Sequence, residues 1–188
     1  AVLRTSQDRL VEKAFLEGAG VPVAPYSAVH DRAALEAAAE TLGFPFVLKT
    51  TRLGYDGKGQ RLLRDASELD AAFETLAPHP LVAEGFVDFS CELSVMVARS
   101  VDGTVRCFDP VQNIHRHHIL DLTLAPAPVG EAACDEAVAL ATRVAEALDL
   151  VGLMGVEFFL DRKGRLLVNE IAPRPHNSCL LYTSDAAD

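Results

Sequence analysis

The sequence predicts an α+β protein, and three observations carry that prediction. Short apolar runs of strand length, among them "FPFVLKT", "VGLMGVEFFL" and "RLLVNEI", are interleaved with helical stretches. They do not follow a regular βαβ alternation, which argues against a doubly wound sheet. Hairpin-type turn signals, Asp102-Gly103 and Asp161-Arg-Lys-Gly164, join neighbouring strands directly. Ala, Val and Leu recur at helical spacing over 131–148, the longest predicted helix.

Taken in order, Ser6 caps a helix running to about Glu17, with Leu10, Ala14 and the Leu16 side apolar and Gly18 or Gly20 closing it. "VPVAPYSAV" is extended, because its two prolines forbid helix. An Ala-rich helix over 31–42 ends at Gly43. Residues 46–50 form a strand, then comes a glycine loop, then a strand at 61–64. Ser67 caps a helix to about Leu76. Strands are expected at 81–84, 91–100, 104–108 and 119–124, and the final two flank the Asp161–Gly164 turn. A small lobe with a glycine-rich lid spans 1–77 and a larger lobe with a metal site spans 78–178.

Net charge of −10 gives no basic face for a phosphate backbone, so no nucleic-acid partner is expected. No apolar stretch approaches the roughly 20 residues of a membrane span, so none is expected at a membrane either. Four scattered cysteines without C-x-x-C spacing read as reduced thiols of a cytoplasmic protein. The chain opens without Met, and the tail at 179–188 breaks the preceding composition; read in frame, it resembles a sequencing-adapter scar, the alternative being a natural tail. The chain is therefore expected to be an internal stretch of something longer, without activity of its own.

Four features carry chemistry. "RLGYDGKGQR" holds Gly54, Gly57 and Gly59, which bring backbone N–H groups close to a ligand and suit phosphate oxygens. Gln60 and Arg61 stand where a P-loop needs Lys and Ser or Thr, so it is not a P-loop. A plain hairpin loop is the alternative, but Lys49 at the preceding strand end and Lys58 within the loop favour a phosphate lid. Second, Glu157 and Glu170 sit in apolar strands, where an unpartnered carboxylate is costly. Both share a face if the turn has two loop residues; a three-residue loop would need a compensating bulge at Gly164. Beside Asn169 they offer the hard oxygens that Mg²⁺ on a nucleotide phosphate takes, a solvated face being the alternative. Third, "EIAPRPHNS" holds Arg174, His176 and Asn177 on a proline-stiffened segment. Fourth, Glu84 ends one strand and Glu92 opens the next, as an adenine hinge and a ribose ligand would. In "NIHRHHIL", His115 and His117 are expected on one strand face and His118 on the other, a poor zinc site, with His115 lining a cleft.

A strand-end lysine, a glycine lid, a hinge acid and a Glu…Asn-Glu pair together resemble the ATP-grasp superfamily, in which two α+β lobes grip ATP. Within it, "GYDGKGQ", "NIHRHHIL" and "NEIAPRPHNS" are similar to the N5-carboxyaminoimidazole ribonucleotide synthase family, over about residues 7–178. The resemblance implies that ATP and bicarbonate give carboxyphosphate, which carboxylates aminoimidazole ribonucleotide in purine synthesis. It implies ATP contacts for Lys49, the lid from Gly54 to Gln60 (Gly57, Lys58 and Gly59 included), Glu84, Val87, Glu92 and Asn169. It implies Mg²⁺ at Glu157 and Glu170, and bicarbonate and ribotide contacts for Tyr55, Asp56, Arg174, His176 and Asn177. A full-length member is expected to be a homodimer. The family's N-terminal nucleotide-fold domain and its continuation after "HNS" are not in this sequence. Another ATP-grasp ligase, biotin-carboxylase-like or formate-using, and a nucleotide-binding module without turnover are the rival readings.

Overall fold

The computed structural model describes residues 2–52 and 58–179. A short helix α1 (Val2–Ser6) precedes α2 (Arg9–Gly18). Asp8, not Ser6, caps α2: its carboxylate accepts the N–H groups of Leu10 and Val11. Ser6 is the last residue of α1, and its hydroxyl donates back to the Leu3 carbonyl. The expected apolar side of α2 is also rotated. Glu12, Lys13 and Leu16 are its buried residues, while Val11 and Ala14 face outwards.

The first lobe follows. β1 (Tyr26–Val29) leads to α3 (Arg32–Leu42), whose Asp31 cap accepts the Ala34 N–H at 2.7 Å and whose end is Gly43 at φ 70°. Then come β2 (Phe46–Thr50), β3 (Gln60–Leu63), a 3₁₀ turn (Ala66–Glu68), α4 (Leu69–Leu76) and β4 (Leu81–Gly85). Asp65, not Ser67, caps the turn that opens α4. The four strands form an antiparallel sheet in the order β1-β4-β2-β3. Leu35 and Ala38 of α3 and Leu69 and Ala72 of α4 pack on one face of it, against Phe46, Leu48 and Ala83. Strand alternation therefore leaves Val47 and Lys49 on the opposite face. Because β4 pairs with both β1 and β2, this sheet runs eight residues past the expected lobe boundary at 77, to Gly85. Leu16 of α2, by contrast, lies in the core of the other lobe.

That second lobe is a six-stranded antiparallel sheet covered mainly by one long helix, with Leu16 of α2 packed beside it. Its elements are β5 (Phe89–Arg99), β6 (Val105–Cys107), β7 (Val111–Arg116), β8 (Ile119–Leu124), α5 (Glu131–Ala147), β9 (Gly152–Asp161) and β10 (Leu166–Ala172). The order is β10-β9-β5-β7-β8, with β6 hairpinned onto the far end of β5. Ala137, Leu140, Ala141 and Val144 of α5 pack on Leu93, Val95, Val97, Val156 and Phe158. No described helix is long and apolar enough to cross a membrane.

Two local features differ from expectation. "VQNIHR" is a strand, β7, which places His115 on a strand as expected but ends at Arg116. His117 and His118 are its two-residue turn into β8, at φ 52° and 65°, so they do not occupy strand faces. Positive φ at both central positions matches strand twist in such a turn, and His enters that region more readily than most residues. The second feature is the β9–β10 hairpin. Leu166 to Val168 pair with Leu160 to Phe158 in one register, then the register slips and Glu170 pairs with Glu157. The register slip sits at Asn169. The turn itself has three loop residues, the second of the two alternatives, and Gly164 closes it at φ 80° with its N–H donating to the Asp161 carbonyl. Without the slip, Glu157 would face Asn169, and Glu170 would point to the core side. With it, Glu157, Asn169 and Glu170 all reach the same face.

Candidate active site

The uncovered faces of the two sheets enclose a cleft of about 650 Å³. β2 and β3 supply Lys49 and Gln60, which are paired neighbours, β4 supplies Glu84, and the β4–β5 connection supplies Val87. From the second sheet come Glu92, His115, Glu157, Phe159, Asn169 and Glu170, followed by Arg174, His176 and Asn177. Lys58 also lines the cleft, and Gly59, at φ 72°, accepts the Thr50 N–H with its carbonyl. Gly54, Tyr55, Asp56 and Gly57 lie outside the described residues.

One end of the cleft is built on a buried carboxylate. Glu84, 4% exposed, has its Oε2 at 2.8 Å from Lys49 Nζ and 3.4 Å from Lys13 Nζ. Burial pushes the Glu84 carboxyl up, but the two ammonium groups outweigh it and hold the carboxyl below its ordinary range. Lys13, 1% exposed, is pulled down by burial in spite of Glu84, and its Nζ lies 5.9 Å from the Tyr26 ring centroid. Glu84 Oε1 has no hydrogen-bond partner among the described residues. A buried, unfilled acceptor is costly, so this atom fits a donor brought by a ligand.

The other end holds the carboxylate pair. Glu157 Oε1 receives His176 Nε2 at 2.6 Å, and its Oε2 receives the Asn169 amide at 3.4 Å. Burial raises the Glu157 carboxyl, but His176, His115 and Asn169 bring it below the ordinary value, so it stays ionised. Glu170 Oε2 lies 3.4 Å from Arg9. No group of three or more His, Cys, Asp and Glu side chains suited to a metal occurs among the described residues. Two carboxylates with an amide beside them fit Mg²⁺, which usually takes one or two carboxylates and fills its remaining positions with water and phosphate. Between the ends, Glu92 Oε2 lies 3.1 Å from His115 Nδ1, and that contact raises the His115 pKa.

Arg174 donates to the Pro175 carbonyl, and Asn177 is exposed, with its Oδ1 accepting the Ser178 N–H. His176 borders the cleft at 3% exposure, with both ring nitrogens engaged inside the protein. Sequence reasoning missed Arg9, Glu12 and Lys13. The signal was present, since Arg9, Glu12, Lys13 and Leu16 recur at helical spacing and form one stripe of α2.

Glu12 gives a pH-dependent expectation. Burial first, then the Glu170 charge, raises its carboxyl from 4.5 to about 8. A raised folded pKa means that its contribution to stability is fully present below 4.5 and is lost as pH climbs towards about 8. Glu12→Gln is therefore expected to match the parent near pH 4.5 and to exceed it above pH 8, by roughly 3–5 kcal/mol at most. Urea melts at the two pH values check this, and a pH-independent difference would refute it.

Two antiparallel α+β lobes closing on one cleft define the ATP-grasp class of fold. The chain belongs to that family: the ATP-grasp domain description matches residues 14–188. The N5-carboxyaminoimidazole ribonucleotide synthase of Bacillus subtilis (strain 168) is 44% identical over 177 residues, covering 94% of this chain and 47% of the relative. A crystal structure of an ADP complex of N5-carboxyaminoimidazole ribonucleotide synthetase matches with TM-score 0.92 and 42% identity, over 98% of this chain and 49% of that one. The Aspergillus clavatus N5-carboxyaminoimidazole synthase, solved with ADP and 5-aminoimidazole ribonucleotide, matches with TM-score 0.86 and 32% identity, over 93% and 46%. The chain spans about half the length of these relatives.

Proposed function

We propose that this chain is the ATP-grasp portion of an enzyme that carboxylates 5-aminoimidazole ribonucleotide, using ATP and bicarbonate and giving N5-carboxyaminoimidazole ribonucleotide, ADP and phosphate. The observation that carries the reading is the cleft's two-ended chemistry: the unfilled Glu84 Oε1 beside Lys49 at one end, and Glu157 opposite Glu170 at the other. The similarity to the synthases above supports the choice of substrate.

In this reading, Glu84 Oε1 accepts a hydrogen bond from the adenine amino group and the backbone at Val87 meets the adenine edge. Glu92, held by His115, takes the ribose hydroxyls. Lys49 fixes positive charge at the phosphates, and Gly54 to Gln60 close over them, with Lys58 adding charge. Glu157, Asn169 and Glu170 hold Mg²⁺, which neutralises phosphate charge when bound. Tyr55, Asp56, Arg174 and Asn177 face bicarbonate and the ribotide. Bicarbonate oxygen attacks the γ-phosphorus, ADP leaves, and the ribotide's exocyclic amine takes the carboxyl group from carboxyphosphate with release of phosphate. Phosphoryl transfer of this kind depends on position and charge rather than on a side-chain nucleophile. The free thiols of Cys91, Cys107 and Cys134 accord with a cytoplasmic enzyme, and a homodimer is expected at full length.

The test replaces the matching segment of the Bacillus subtilis relative with residues 7–178 and measures ADP release. Release that requires both bicarbonate and ribotide is expected, together with Mg·ATP binding to the 188-residue chain in calorimetry. Release supported by formate instead of bicarbonate, or indifferent to ribotide, would overturn the assignment.

A further inference from the structure

A line of buried hydrogen bonds crosses the second sheet and ends on Glu157. Thr123 Oγ1, on β8, donates to Asn113 Oδ1 at 3.1 Å, and Asn113 Nδ2, on β7, donates to Ser94 Oγ at 3.0 Å. Ser94 Oγ, on β5, lies 2.7 Å from Ser178 Oγ, which lies 2.7 Å from His176 Nδ1. His176 Nε2 closes the line on Glu157 Oε1. Ser94, Asn113, His176 and Ser178 are all buried.

The polarity of the line is set at the histidine. The Ser178 backbone N–H, which only donates, is shared between Asn177 Oδ1 at 3.1 Å and His176 Nδ1 at 3.4 Å. An ionised Glu157 only accepts. Both conditions put the ring proton on Nε2 and the lone pair on Nδ1. Ser178 Oγ–H then donates to Nδ1 and accepts from Ser94, so every donor from Thr123 onwards points towards Glu157. Bonds aligned in this way polarise and reinforce one another. The ring is also held by shape. A Cβ at Gly155, on β9, would lie 3.0 Å from His176 Cβ and Cγ and 3.1 Å from Cδ2, so the ring would have to give by a few tenths of an ångström.

We propose that His176 is a positioning residue: it fixes the Glu157 rotamer and commits Oε1, so that Glu157 offers a cation its second oxygen, Oε2, alone. This gives His176 a use other than contact with bicarbonate or ribotide, and it rests on the reading of Glu157 as a metal ligand. Partners that orient a ligating side chain in this way commonly alter metal affinity by about 10- to 100-fold when removed.

The experiment uses the 188-residue chain with Mn²⁺ and ADP as the probe, free Mn²⁺ being followed by electron paramagnetic resonance. His176→Leu is expected to weaken Mn²⁺ binding in the presence of ADP by about 10- to 100-fold. His176→Gln, whose amide reaches the place of Nε2 and keeps the donor, is expected to restore it. Gly155→Ala, which displaces the ring and removes no polar group, should weaken binding as His176→Leu does. In the metal-free parent, ¹⁵N spectra of the imidazole should show Nε2–H and an unprotonated Nδ1. Unchanged Mn²⁺ affinity in His176→Leu and Gly155→Ala, or an Nδ1–H ring in the parent, would overturn the proposal. A parent that binds no Mn²⁺ with ADP would instead defeat the nucleotide reading, and this inference with it, so the two failures are told apart by the parent alone.

Discussion

Glu157→Gln and Glu170→Gln are each expected to remove most Mg·ATP-dependent turnover while leaving the fold in place. Glutamine keeps the shape of the side chain and removes the anionic ligand. At Glu157 it also keeps an acceptor for His176 Nε2–H, so the buried line from Thr123 stays closed. The loss expected for removing one fixed charge contact from a phosphoryl-transfer site is about 10²- to 10³-fold in kcat. The two variants should differ in a second property. Glu170 is one of the charges that raise the Glu12 carboxyl, so Glu170→Gln should lower the pH at which Glu12 ionises, whereas the Glu157 substitution has no such route. Circular dichroism checks the fold, coupled ADP release checks turnover, and urea melts across pH check Glu12. Full activity of both variants at low Mg²⁺ would reduce the pair to a solvated face.

Lys49→Met carries the next largest effect. It removes the positive charge that faces the phosphates in the proposed complex, raising the KM for ATP and lowering kcat, with ~2–4 kcal/mol of transition-state stabilisation lost. The structure adds a consequence for stability. Lys49 Nζ is the nearer of two cations to the buried Glu84 carboxylate, at 2.8 Å against 3.4 Å for Lys13. Without it, Glu84 is left with the more distant partner, and a buried charge that loses its partner destabilises the fold. The double substitution Lys49→Met with Glu84→Gln should therefore recover thermal stability relative to Lys49→Met and recover no ATP affinity. Wild-type kinetics in Lys49→Met would end the phosphate role for Lys49. An unchanged melting temperature would end the ion-pair account of Glu84.

Much of the fold was legible because local chemistry and final structure agree. Asp31 and Gly43 bracket α3, β2 alternates buried and outward residues from Phe46 to Thr50, and Asp102-Gly103 turns β5 into β6. What was not legible depends on partners distant in sequence. β4 joins the first sheet because β1 and β2 both pair with it, and nothing within "LVAEG" says so. α2 buries Glu12 and Lys13 because Glu84 and the backbone N–H of Ile171 meet them there, whereas a local reading turns charges outwards. The bounds of β7 were hidden by Gln112, Asn113 and His115, polar residues that a cleft and a buried hydrogen-bond line explain. Lys49, Glu157 and Glu170 line the cleft and stood out in sequence because charged side chains are unusual beside apolar strand residues. His176 also borders the cleft, but its identity alone gave no sign that both ring nitrogens are used internally.

The bulge at Asn169 makes chain length part of the site's chemistry. Leu166 and Val168 face the core at even spacing, Ile171 faces it at odd spacing, and the change of phase between them delivers Asn169 and Glu170 to the cleft. The segment from Leu166 to Ile171 thus works as a count. Exchanging Asn169 for another small polar residue leaves the count intact. Adding or removing a single residue there keeps every functional side chain in the protein, yet forces a choice between burying the hydrophobic residues and presenting the carboxylate. Variation along β10 is therefore expected to run to substitutions rather than to gaps.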